Sequence, residues 1–229
     1  MAKPTFGWDG SKMTFLQTIF TRGGPIMWPL LICSLVSLTI TVERLIFWWR
    51  DARRKRTDLA GRIVRAVEQG NDAQALALRH AAPDAVARVL LAGIADRAHG
   101  LRESMEAAAT EEIEHMRWGL GVLDTIVTMA PLLGILGTVL GIIASFDLLG
   151  RSGIQDPKAV TGGIAQALIT TATGLAVALV TLVPFNYFVH RVQRAAKIIE
   201  QAATRFEIVC RKGATDAVGE RLRGAAGSD

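Results

Sequence analysis

The chain has 229 residues, half of them apolar, a formal net charge of +5 and only two cysteines. This composition excludes a disordered chain, which would lack the apolar content to bury, and a disulfide-stapled scaffold, which would need more cysteine. Cys33 lies inside an apolar run and Cys210 near the basic C-terminus, so the two are not expected to pair.

In chain order, residues 1–25 read as an N-terminal segment and residues 26–49 as a first apolar stretch. About 20 such residues suffice to cross a bilayer as a helix. The cluster Arg50, Arg53, Arg54, Lys55 and Arg56 follows this stretch rather than preceding it. A cleaved signal has the opposite order, so the span is expected to be retained. Residues 50–124 are rich in alanine, arginine, glutamate and leucine, with breaks at Gly70, Ala82-Pro83 and Gly100. They predict three or four helices, the last running from about Glu103 without interruption into the next span. Residues 125–149 form a second span, 150–160 a short connector, 161–188 a third span, and 189–229 a helical tail that continues it. The expected fold is an all-α integral membrane protein whose second and third transmembrane helices extend into a helical bundle.

Charge sets the expected topology. Seven lysines and arginines fall between Arg50 and Arg65 and eight after Phe188, whereas the connector has only Arg151 and Lys158. Basic residues near span ends favour the cytoplasm. The N-terminus and connector are thus expected outside, and the 50–124 loop and tail inside. Trp28 would then sit at the outer interface and Trp48, Trp49 and Trp118 at the inner one. No aromatic residues alternate with the arginines to stack bases, so the basic runs read as topology signals and contacts to anionic membrane lipids, not as a nucleic-acid surface.

The spans carry unusual patterns. On a helical wheel Val127, Ala130, Gly134, Thr138, Gly141 and Ser145 share one stripe of the second span, with Gly137 at its edge. Gly163, Ala167, Thr170, Gly174 and Ala178 share one of the third, flanked by Gln166 and Thr171. Small residues let helices approach closely in lipid, so Gly134, Gly137, Gly141, Gly163 and Gly174 are expected to pack helices. The hydroxyls of Thr138, Thr170 and Thr171 and the Gln166 amide exceed what packing needs and are expected to face a polar lumen or a partner helix. Ser34, Ser37, Thr39 and Thr41 are scattered, and the first span reads as more lipid-facing. No Asp, Glu, His, Lys or Arg occurs deep in the second or third span. A proton relay through a bilayer ordinarily needs a titratable group at depth, so that group would have to come from another chain. Glu43 and Arg44 close the first span and read as an interfacial ion pair, with a contact to a neighbouring subunit as the functional alternative.

The run from Ala130 to Gly141, APLLGILGTVLG, followed by Gly163 to Leu175, GIAQALITTATGL, resembles the MotA/TolQ/ExbB proton-channel family, and its ExbB-like branch most closely. Gly23-Gly24-Pro25-Ile26-Met27 and Glu43-Arg44-Leu45 are similar as well. The resemblance implies a homopentamer in the bacterial inner membrane, with the second and third helices around a central pore. It also implies as partner a dimer of ExbD/TolR-like single-span proteins whose membrane aspartate carries the proton, and beyond it a TonB/TolA-like periplasm-spanning protein. Thr138 and Thr171 match the family's two pore threonines. Gln166 stands where many ExbB-type sequences have glutamate, and a glutamine cannot titrate. A sodium-coupled stator subunit and a non-conducting pentameric scaffold are the rival expectations. No enzyme, cofactor or metal is expected: Glu112 and His115 have the Glu-x-x-His spacing of di-iron bundles but lack a second such pair, and His80, His99 and His190 stand apart from any cysteine or carboxylate group.

Overall fold

The computed structural model describes residues 23–54, 59–78, 84–97, 100–152 and 157–226. Seven helices make up the described chain: α1 (Met27–Arg54), α2 (Leu59–Glu68), α3 (Asp72–Ala77), α4 (Ala85–Ala95), α5 (Leu101–Arg117), α6 (Leu120–Ser152) and α7 (Pro157–Ala226). Three of them are long and apolar enough to cross a membrane, over Met27–Ala52, Leu120–Gly150 and Thr161–Gly213. The 70 residues of α7 far exceed the roughly 20 needed to cross a hydrocarbon core, so one helix supplies both the third span and the tail. His80 and His99 lie outside the described residues, as does nearly all of the 1–25 segment.

The chain divides into two compact units. The span unit holds residues 23–42 and 119–186. Its core is Met27, Leu30, Ile126, Ala130 and Ala178, bordered by Ile26, Cys33, Leu133 and Val177. Large apolar side chains such as Phe146, Leu168, Leu179 and Val183 point outward. In water such a surface would be a liability, whereas in lipid it is the required one. Pro131 and Pro184 sit inside α6 and α7.

The bundle unit holds residues 43–118 and 187–226. Helix α4 is apolar on nearly every side, and Val86, Val89, Leu90, Leu91 and Ile94 are all buried. A helix of that kind belongs at the centre of a bundle. Gly93 lets α5 come close, since a methyl there would collide with Met105. On the distal part of α7 the stripe Phe188, Val192, Ala195, Ile199, Phe206 and Cys210 is buried. Arg88 of α4 grips Glu112 of α5 with two hydrogen bonds of 2.5 and 2.6 Å, and the neighbouring carboxylate raises the guanidinium above its already high pKa. Arg97 pairs with Asp72 at 2.8 Å.

One expectation fails here. The helix beginning near Glu103 does not continue into the second span; it ends at Arg117, and Gly119 takes φ +76° before α6 starts. Glycine adopts that left-handed backbone without the steric cost other residues meet, and it is the common residue after a helix end. Gly70 and Gly100, at φ +71° and +112°, mark breaks where the sequence placed them.

Candidate functional site

Helices α6 and α7 touch backbone to backbone. A methyl built on Gly134 would stand 3.1 Å from Thr171 Cα, and one on Gly141 would stand 3.0 Å from the Gly163 carbonyl oxygen. At Gly174 the same methyl would be 2.5 Å from the Ala130 carbonyl oxygen. Gly137 lies against the Thr170 side chain, and Gly163 against Ser145. All five glycines therefore stand at this helix pair, where the absence of a side chain sets the interhelix distance and lets weak Cα–H···O contacts form.

The hydroxyls fall into two classes. Thr171 is half-buried and donates to the Gly134 carbonyl across the helix pair at 2.9 Å. Thr138, also half-buried, donates within its own helix to Ile135 at 2.5 Å. With their protons committed to carbonyls, both oxygens keep free lone pairs and so act as acceptors. Thr170 is different. It is fully buried, at 0% exposure, and its single proton is shared between the Gly23 carbonyl at 2.9 Å and the Gln166 carbonyl at 2.8 Å. Its expected place among lumen-facing groups is therefore corrected: packed between Gly137 and Gly23, it ties the turn that opens α1 to α7.

Gln166 joins the same tie. It is half-buried, and a methyl on Gly24 would collide with its amide nitrogen. Gly24, at φ +71°, starts the first turn of α1, with Met27 N–H donating to its carbonyl at 3.1 Å. Residues 166 and 170 lie one helical turn apart on one face, and together they hold Gly23-Gly24.

Two further groups were not legible as sites. Ser37, expected on a lipid-facing span, is buried and hydrogen-bonded to Thr181 at 2.7 Å. Thr181 also donates to Val177 at 2.8 Å, and a hydroxyl has a single proton, so Ser37 is the donor to Thr181. Within the bundle unit, Arg44 is not an exposed interfacial charge. It is 3% exposed, chelates Glu43 with bonds of 2.6 and 2.8 Å, and points Nη1 at the His115 and Met116 carbonyls at 3.3 and 3.4 Å. Phe47 and Trp118 lie 4.6 and 5.1 Å from its guanidinium carbon. These carbonyls belong to the last turn of α5, where the Trp118 N–H reaches only His115, at 3.4 Å, and a cation there also opposes the negative end of the helix dipole. Glu112 is held by Arg88, and His115 lies edge-near Phe47 at 5.6 Å, so the Glu-x-x-His spacing serves packing. Among the described residues no group of three or more His, Cys, Asp or Glu could hold a metal.

The sequence model of the MotA/TolQ/ExbB proton channel family matches residues 81–201, more than half of the chain. The chain belongs to this family. Biopolymer transport protein ExbB-like 1 of Synechocystis sp. is 35% identical over 199 residues, covering 84% of this chain and 78% of that protein. The ExbB homolog of Methanothermobacter thermautotrophicus is 30% identical over 186 residues, covering 80% of this chain and 66% of its own. ExbB of Aquifex aeolicus is 40% identical over 74 residues, 32% of this chain and 50% of that protein. The match contains the close α6–α7 pair whole, from Leu120 to Asn186. Family membership and three bilayer-length apolar helices make the chain a multi-pass membrane protein of the ExbB type.

Proposed function

We propose that this chain is the pore-forming subunit of an inner-membrane motor driven by the proton-motive force. In this reading five copies form a ring around the α6 and α7 helices, and the ring houses the single spans of an ExbD/TolR-like partner. Their movement does work in the periplasm or at the outer membrane. The N-terminus faces the periplasm and the tail the cytoplasm. The observation that carries the reading is that neither α6 nor α7 has an acid deep in its span, while the half-buried hydroxyls of Thr138 and Thr171 have spent their protons on Ile135 and Gly134.

A protonated carboxylic acid is a donor and needs an acceptor. Thr138 and Thr171 supply acceptor oxygens without supplying charge, so a partner carboxyl beside them can stay neutral in a region where ionisation is expensive. Release of its proton on the other side is driven by the potential, worth about 2.3 kcal/mol per charge at 100 mV. Gln166 does not titrate in this scheme. It positions the entry of α1, and the ionisable step rests with the partner. The ExbB relatives and the channel family support the proton-channel role on which this division of labour is built.

The test is proton flux into vesicles reconstituted with this chain and its co-expressed single-span partner. Thr138→Ala and Thr171→Ala are expected to abolish flux while the complex still co-purifies, and Thr171→Ser is expected to keep it. Vesicles containing this chain alone that acidify as fast as those containing both proteins would refute the reading. Replacing sodium by potassium at a constant proton gradient should leave the rate unchanged.

A further inference from the structure

The bundle unit carries two faces that complement one another and cannot meet within one chain. The first is a groove of about 610 Å³ between α5 and the distal part of α7. Met105, Ile113 and Ile199 form its apolar floor, and Glu106, Glu200 and Glu207 stand along it. Arg102 also reaches the groove, where it is bonded to Glu106 at 2.8 Å and feels Glu207 at longer range, so one cation stands against three carboxylates. The groove is left with net negative charge.

The second face lies on the opposite side of α7. At 100° per residue Arg194, Lys197, Ile198, Arg205, Ile208 and Lys212 fall within about 60° of one line, and the groove residues of α7 centre about 150° away from it. These six side chains are exposed, including Ile198 at 45% and Ile208 at 52%. The face therefore pairs four cations with two bare isoleucines, and the groove pairs acids with an apolar floor.

We propose that these faces form a head-to-tail contact between copies of this chain, the basic stripe of one α7 seated in the acidic groove of the next. Two different faces on opposite sides of one helix are what a heterologous ring contact requires; a two-fold dimer would pair one face with itself. Register supports the occupant. In a closed ring whose axis runs along α7, all copies stand at the same height, so residues that meet have nearby numbers. Lys197 is three residues from Glu200 and Arg205 two from Glu207, about 4.5 and 3 Å along the axis. Stripe and groove are thus in register without a sliding offset, with Ile198 and Ile208 set against the floor. The inference rests on the ring in the proposed function and adds which surfaces close it.

The experiment uses two differently tagged full-length chains expressed together, both lacking Cys33 and Cys210. One carries Ala109→Cys in the groove and the other Gln201→Cys on the stripe, and the mixed disulfide band is measured. Groove reversal alone (Glu200→Lys with Glu207→Lys) or stripe reversal alone (Lys197→Glu with Arg205→Glu) is expected to lower the band about tenfold, because like charges then face each other. Putting the groove reversal on the Ala109→Cys chain and the stripe reversal on the Gln201→Cys chain is expected to restore it. Restoration between chains excludes an explanation by Lys197–Glu200 pairing within one helix. A band indifferent to reversal, or not restored by the combination, overturns the inference. Light scattering of the unmodified protein in detergent separates the two readings: a monomer refutes the ring itself, whereas a ring without the band refutes only this contact.

Discussion

Replacing Gly174 by alanine tests whether backbone contact sets the α6–α7 distance. The new methyl carbon would lie 2.5 Å from the Ala130 carbonyl oxygen and 3.0 Å from Gly134 Cα. Ordinary contacts of these kinds are about 3.3–3.6 Å and 3.5–4.0 Å. Both obstructing atoms are backbone and cannot rotate away, so the helices must part by roughly 0.5–1 Å. Overpacking of this kind costs about 1–3 kcal/mol, and alanine returns about 0.5–1 kcal/mol through its lower entropy loss in a helix. Gly121 is the control: it is exposed on the same α6, and nothing lies within 4 Å of a methyl built there. Gly121→Ala should therefore show the gain alone. The two variants should differ by the overpacking cost, or roughly 5 °C in unfolding midpoint for a chain of this size. The assay is loss of helical circular dichroism on heating the purified protein in detergent. Gly134→Ala, with its nearest obstruction at 3.1 Å, should fall between them. If Gly174→Ala and Gly121→Ala shift the midpoint equally, close backbone contact is not what holds this pair.

Three other outcomes are expected. Arg44→Ala should cost about 1–3 kcal/mol by stranding the Met116 carbonyl and removing one of the two donors to the His115 carbonyl, and should open the chain to trypsin at Arg117; Arg44→Lys should recover only part, because a single ammonium cannot hold Glu43 in a fork and reach the helix end too. Ser37→Ala and Thr181→Val should each cost about 0.6 kcal/mol, and the double variant no more than the larger single one, as a double-mutant cycle of thermal midpoints would read. Gly24→Ala should destabilise by about 1–2 kcal/mol from its positive φ alone, and a further loss from the Gln166 collision should vanish in the Gln166→Ala background.

Much of this molecule is legible in one dimension because the bilayer demands it. A span must be long, apolar and free of unpaired charge, and those are properties of a run of residues, as are the glycine stripes that repeat with the helical period. The family follows from two such runs, Ala130–Gly141 and Gly163–Leu175, and matches the chain as expected. The break at Gly119 was present in the sequence as a glycine, but only a backbone turned left-handed there distinguishes it from Gly121, which stays helical two residues later.

What the tertiary structure alone decided is which polar group meets which. Arg44 finds the end of α5 across 71 residues, Ser37 finds Thr181 across 144, and Thr170 finds Gly23 across 147. Periodicity assigns a side chain to a face of its own helix and says nothing of what stands opposite. A hydroxyl on such a face reads the same whether it looks into a lumen, as expected for Thr170, or onto a carbonyl, as found. Composition and spacing thus fixed the spans and the family, because hydration and helix pitch act on each segment separately. Pairing between distant segments was left to the packed chain, because a hydrogen bond depends on the position of both partners at once.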